Sequence, residues 1–305
     1  MRTALLRNGV RTAAAALAFA TALAGATTAD ATVRRDYAGH GRHPVEVAIG
    51  RAGIYAPDTA RAGLVAFHVK TDDPNGHFLQ AFRPHRGVTV RKVLADLAKA
   101  VNRNAPATAA KGISAVRDEA DALGGAQVTP TVSETFTTPI SAGPVVLLDF
   151  TAFLADPAHP VTRTLTLRGS KRGGSSEDLA AFPDSIVITR ETPAGPRFDV
   201  HGLHKAADNI LVHNASDELH EMALQPVKRG TTDAQIQAFF GGNGTGTPPF
   251  TGPSLGLGVV SPGRTALLET HHLPPGTYVL LCYVPDDKTG RPHVAEGMHK
   301  VVVLT

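Results

Sequence analysis

Gly276-Thr277-Tyr278-Val279-Leu280-Leu281-Cys282-Tyr283 matches Gly143-Pro144-Val145-Val146-Leu147-Leu148-Asp149-Phe150 along its length, at an offset of 133 residues. Both are short apolar runs opened by glycine, the pattern of a strand buried in a β core. A second match lies upstream of each run, at an offset of 143: His77, followed nine residues later by Arg86-Gly87-Val88-Thr89, parallels His220, followed nine residues later by Arg229-Gly230-Thr231-Thr232. A strand-like run precedes each histidine, Leu64 to Val69 in one case and Asn209 to Val212 in the other. Matches that recur in the same order signal a duplicated architecture, and the change of offset marks an insert of different length inside the first copy.

The duplication predicts two domains, 32–170 and 183–305, joined by a polar linker at 171–182. Other brief apolar or alternating runs, Val45 to Ile49, Ser185 to Ile188, Ala266 to Leu268 and Val301 to Leu304, add strands to both copies. Helical periodicity is confined to Val90–Val101, with an extension over Ile113–Leu123, and to Thr232–Phe240 with Thr231 or Thr232 as its cap. Gly241–Gly258, rich in Gly, Thr and Pro, reads as a long loop. The expected fold class is all-β: two tandem Greek-key sandwiches with short helical insertions.

Composition narrows the function. The chain has 305 residues, 42% of them hydrophobic, enough for a core. One cysteine beside 14 histidines excludes a disulfide framework and any Cys-rich zinc or iron–sulfur site. Arg2, Arg7 and Arg11 precede the small apolar run Thr12 to Ala26, and Ala29-Asp30-Ala31 offers a cleavage motif, so residues 1–31 read as a signal peptide. Its removal lowers the formal net charge from +3 to +1 and leaves no basic stripe for nucleic acid. The expectation is a secreted protein with no membrane span after cleavage, a setting in which a lone thiol is unusual.

That thiol begins the run Cys282-Tyr-Val-Pro-Asp-Asp-Lys-Thr-Gly-Arg-Pro-His293-Val-Ala-Glu-Gly-Met298, and His220 lies upstream. A thiolate, two imidazoles and a thioether are the donors of a blue-copper centre. The alternative for each residue taken singly is a buried core cysteine, a strand-end histidine and a methionine filling space.

Asn214-Ala-Ser-Asp-Glu-Leu-His220 resembles the turn that precedes the first histidine ligand in plastocyanin-type cupredoxins. Pro292-His293-Val-Ala-Glu-Gly-Met298 resembles the end of the type 1 copper loop in copper nitrite reductases. The resemblance to cupredoxins implies one copper ion in the C-terminal domain, with His220, Cys282 and His293 as principal ligands and Met298 as the weak one. It implies outer-sphere electron transfer with a redox partner protein, whose identity is unknown, and makes His293 the solvent-side edge. Ten residues separate Cys282 from His293, more than in most members, so this loop must bulge. A copper carrier or storage protein, and a metal-free sandwich used as a binding module, remain the alternatives.

The first copy departs from this pattern. His77 is kept, but Asp149 stands where Cys282 does, Leu165 occupies the methionine place, and His159 is one residue short of the second histidine place. His77, Asp149 and His159 therefore read as a degenerate site unable to hold blue copper, since a carboxylate cannot replace the copper–thiolate bond.

Little supports catalysis. Leu281, not a histidine, precedes Cys282, and no His-x-His pair accompanies it, so the link from a type 1 copper to a catalytic copper is missing. Gly241 to Gly246 lacks the Lys-Ser/Thr of a phosphate cradle. His271-His272 and His201-x2-His204 read as surface or turn histidines. No orienting third residue makes Cys282 and His293 a nucleophile pair. The chain is expected not to be an enzyme.

Overall fold

Along Val45–Gly50 buried and more exposed side chains alternate, as a strand with one face on a core requires. The computed structural model describes residues 44–169, 182–242 and 247–305, and places Val45–Gly50 as the first of seventeen strands among them. The signal peptide and all but the last residue of the expected linker lie outside the described residues. Among the described residues no helix is long and apolar enough to cross a membrane.

The first half contributes β1 (Val45–Gly50), β2 (Gly53–Tyr55), β3 (Thr59–Arg61), β4 (Gly63–Lys70), β5 (His77–Pro84), α1 (Val90–Ala100), α2 (Pro106–Glu119), β6 (Ala120–Val128), β7 (Ser133–Ile140), β8 (Gly143–Asp149), α3 (Phe150–Ala155) and β9 (Thr162–Arg168). The second contributes β10 (Ser185–Thr192), β11 (Gly195–His201), β12 (Ile210–Asn214), β13 (His220–Pro226), α4 (Asp233–Gly241), β14 (Leu255–Val260), β15 (Thr265–His271), β16 (Gly276–Leu281) and β17 (His299–Leu304).

These form two mixed sheets, ordered β11-β10-β12-β15-β7-β4-β1-β2 and β17-β16-β13-β14-β6-β5-β8-β9-β3. Each order reads outward in the same way from its centre: β7-β4-β1-β2 mirrors β15-β12-β10-β11, and β6-β5-β8-β9 mirrors β14-β13-β16-β17. The two seams, β7 with β15 and β6 with β14, are antiparallel. The main core joins the inward faces of both sheets, with Val47, Phe67 and Phe136 from one and Leu79, Leu147 and Leu165 from the other; Phe67 and Phe136 stack at 4.8 Å.

Polar side chains fasten the β6–β14 seam. Glu134, fully buried, accepts the Gly256 N–H at 2.7 Å through one oxygen and the Gln127 N–H at 3.2 Å through the other. Burial pushes its carboxyl well above the usual range, against the pull of those two donors. Gln80 donates to the Gly124 and Val259 carbonyls and accepts the Val259 N–H at 2.8 Å.

Two expectations are corrected. Gly241–Gly258 is not loop throughout: Leu255–Val260 is a central strand. Its glycines serve close approach, since a Cβ on Gly258 would stand 2.8 Å from Gln80 Oε1 and 2.9 Å from Gly125 Cα. The second helical stretch is not an extension of the first. The chain breaks after Val101, starts α2 with Pro106 in its first turn and leaves the helix for a strand at Ala120. The Thr232 cap is present as a capping box with Gln235.

Candidate metal centre

The three residues come from two strand ends and one loop. His220 opens β13, placed by a turn anchored on Asn214, whose buried side chain donates to the Glu218 carbonyl at 2.8 Å and the Val260 carbonyl at 3.0 Å. Cys282 is the residue after β16. His293 begins a single 3-10 turn, His293–Glu296, that leads toward β17. Leu281 pairs with His299, so Cys282 and Met298 are the next residues along each strand.

The long interval between Cys282 and His293 closes on itself. Pro285 bridges Pro292, the Asp286 N–H donates to the Arg291 carbonyl at 2.8 Å, and the His293 N–H donates to the Val284 carbonyl at 3.0 Å. The extra residues form an excursion that starts and ends at one place, so its length does not separate the ends. Its tip packs on α2: a Cβ on Gly290 would stand 1.9 Å from the Pro106 carbonyl oxygen, which only glycine permits.

Cys282 Sγ lies 3.6 Å from His220 Nδ1 and 3.5 Å from His293 Nδ1, and the two imidazole centroids are 4.5 Å apart. One donor atom from each residue falls within 4.8 Å of the others, and all three residues are fully buried. A first-row ion with bonds of about 2.3 Å to sulfur and about 2.0 Å to nitrogen, meeting at roughly 110–120°, separates sulfur from nitrogen by about 3.5–3.7 Å. The observed distances fit without rearrangement. Met298 is fully buried in the same core cluster as Cys282.

Electrostatics agree with a thiolate. Burial opposes ionisation of Cys282, but His293 and His220 beside it outweigh burial and bring the thiol down to about 6. Burial likewise opposes a charged His293, yet the adjacent thiolate and Glu218 raise it to about 10. His220 is raised by Cys282 and Glu191 against its own burial. Glu221, next in the chain, accepts the Tyr283 N–H at 2.9 Å, and burial followed by the Cys282 charge pushes its carboxyl up to about 8.

The expectation of a solvent-side His293 is corrected. Its Nε2 lies 3.1 Å from Glu218 Oε2, and Glu218 is itself buried, accepts the Asp287 N–H at 3.0 Å and approaches Lys288 Nζ at 3.6 Å. The carboxylate fixes the imidazole with Nδ1 toward Cys282, the role of an outer ligand-orienting group. Sequence reading overlooked Glu218, although it stands two residues before His220 within the Asn214 turn.

In the first half, His77 Nδ1 lies 3.2 Å from Asp149 and its Nε2 lies 3.4 Å from Asp73. Asp149 also caps α3, accepting the Ala152 N–H at 2.9 Å. His159 does not join them: it pairs with Asp156 at 2.8 Å and its side chain is 84% exposed. His271 meets Thr135 and stacks on His68, while His201 pairs with Asp199.

No family model and no curated protein matches the chain. Among solved structures it is similar to the reduced auracyanin of Roseiflexus castenholzii, at 20% identity over 39% of this chain and 94% of that one, TM-score 0.25. It is similar to the copper nitrite reductase of Nitrosomonas europaea at 12% identity over 86% and 94%, TM-score 0.24. It is also similar to the McoA multicopper oxidase of Aquifex aeolicus at 10% identity over 86% and 65%, TM-score 0.23. The chain thus resembles copper proteins of cupredoxin type, single and tandem, at low identity.

Proposed function

We propose that the protein binds one copper ion at His220, Cys282 and His293, with Met298 as a weak fourth donor, and carries electrons to or from a partner protein. The observation that carries this reading is the buried meeting of two imidazole Nδ1 atoms with one sulfur at 3.5 and 3.6 Å. When bound, copper supplies one-electron redox chemistry in such a donor set. The chain's own part is to hold the donors in place, with Glu218 fixing His293 and the Asn214 turn fixing His220, and to exclude water by burying all three. Since the outer nitrogen of His293 faces Glu218, the shortest polar route outward runs through Glu218 to the exposed Lys288.

The reading includes secretion after loss of residues 1–31, two cupredoxin-like repeats at 32–170 and 183–305, and no catalytic copper, because Leu281 stands where a bridging histidine would be. Copper analysis and a visible spectrum on the wild type and Cys282→Ser, in parallel, test it. One copper per chain with intense visible absorption in the wild type, lost in the variant, is expected. Copper-dependent consumption of nitrite or dioxygen would overturn the non-enzymatic part.

Complete burial of both imidazoles favours a second reading, a Cu(I) carrier that shields its cargo. It predicts stoichiometric Cu(I) with no reversible blue state, and voltammetry separates the two. No copper of either oxidation state would leave a metal-free binding module.

A further inference from the structure

A cavity of about 670 Å³ opens where α1 and α2 face β5, β6, α4 and the Tyr283–Ala295 segment. That is within the size range of small-molecule sites, roughly 300–1,000 Å³. Six aromatic rings line it: Phe78, Phe82, Phe150, Phe239, Phe240 and Tyr283. Leu154 stands at its edge half exposed. Helices and strands, not side chains, hold the space open, since Gly290 seats the 285–292 excursion against Pro106 at the start of α2.

The polar groups in the lining are unevenly placed. Arg103 and Arg291, both exposed, belong to the two segments that meet at Pro106 and Gly290, and neither has a carboxylate within ion-pair distance among the described residues. Arg103 instead lies over the Tyr283 ring, 6.0 Å from its centroid. Ser254 Oγ is buried in the lining without a hydrogen-bond partner. The one carboxyl in the lining, Glu221, is turned to the Tyr283 N–H. An aromatic-walled chamber with two unpaired guanidinium groups at one edge complements a molecule with an apolar body and an anionic head.

We propose that this cavity binds a small amphipathic carboxylate, its hydrocarbon body among the six rings and its head at Arg103 and Arg291. The site is independent of metal, though Tyr283 follows Cys282 and Val294 follows His293, so an occupant lies one residue from the donor cluster.

Calorimetric titration of the metal-free full chain with dodecanoate, dodecanol and dodecylammonium, each below its micelle-forming concentration, tests this. Dodecanoate is expected to bind saturably at one site per chain, at least tenfold tighter than dodecanol, with dodecylammonium weakest. In the double variant Arg103→Gln, Arg291→Gln, whose changes are both on the surface, dodecanoate is expected to fall to the level of dodecanol while dodecanol binding and the melting temperature stay as in the wild type. Absence of saturable dodecanoate binding, equal binding of dodecanoate and dodecanol, or an unchanged preference in the double variant would each overturn the proposal.

Discussion

The two halves place a histidine at the first residue of equivalent strands, β5 and β13, and then diverge in what faces it. In the second half His220 meets a sulfur, and a further histidine completes the cluster. In the first half His77 is clasped by two carboxylates, and one of these, Asp149, gives a lone pair to the first turn of α3 as well. After Cys282 the chain makes a closed excursion that returns a ligand; after Asp149 it goes straight into a helix. One position in one fold thus serves as a metal donor or as a helix cap, according to whether its neighbours leave the side chain's electron pairs free.

The comparison breaks most sharply if the first half's residue is moved into the second. Cys282→Asp is expected to abolish visible absorption and reduce copper to below a tenth of an equivalent per chain, as read by metal analysis; retention of a blue band would show that the sulfur is not the ligand. A smaller effect sharpens the electrostatic side. In the metal-free protein the Cys282 thiolate, followed by its ultraviolet absorbance, is expected to form as pH rises through about 6 rather than its ordinary 9.0. The folded value is depressed, so the stability carried by this group is present above pH 9 and lost as pH falls through about 6. Titration near 9 would mean that the imidazoles do not face the sulfur.

The smallest effect belongs to the first half. Asp149→Ala removes the partner of His77 and the cap of α3 together, and is expected to cost about 2–4 kcal/mol in urea unfolding without changing copper content. His159→Ala, outside that cluster, is the matched control and is expected to change nothing.

The strands flanking the repeated runs and the four residues of the donor set were legible because each carries a local signal: apolar runs, flanking glycines, and soft donors in a known order. The central strand Leu255–Val260 was not, because its glycines answer to neighbouring strands that no local pattern reveals. Glu218 was hidden for a related reason, since a carboxylate in a polar turn looks solvated until the fold closes Val284 to Pro292 over it. His159 misled by the reverse path: its spacing was nearly right, but α3 carries the chain out to solvent, where Asp156 takes the imidazole.

The seams have a consequence for the molecule's history and its handling. Each half ends at β6 and β7, or at β14 and β15, in rows of backbone donors and acceptors that only the other half satisfies. An excised half would expose two raw edges at once, the condition under which strands recruit strangers. A duplicated ancestor with this topology is therefore most simply a symmetric pair of separate chains, and fusion into one polypeptide freed one copy to give up its metal while still supplying the edges that the other needs.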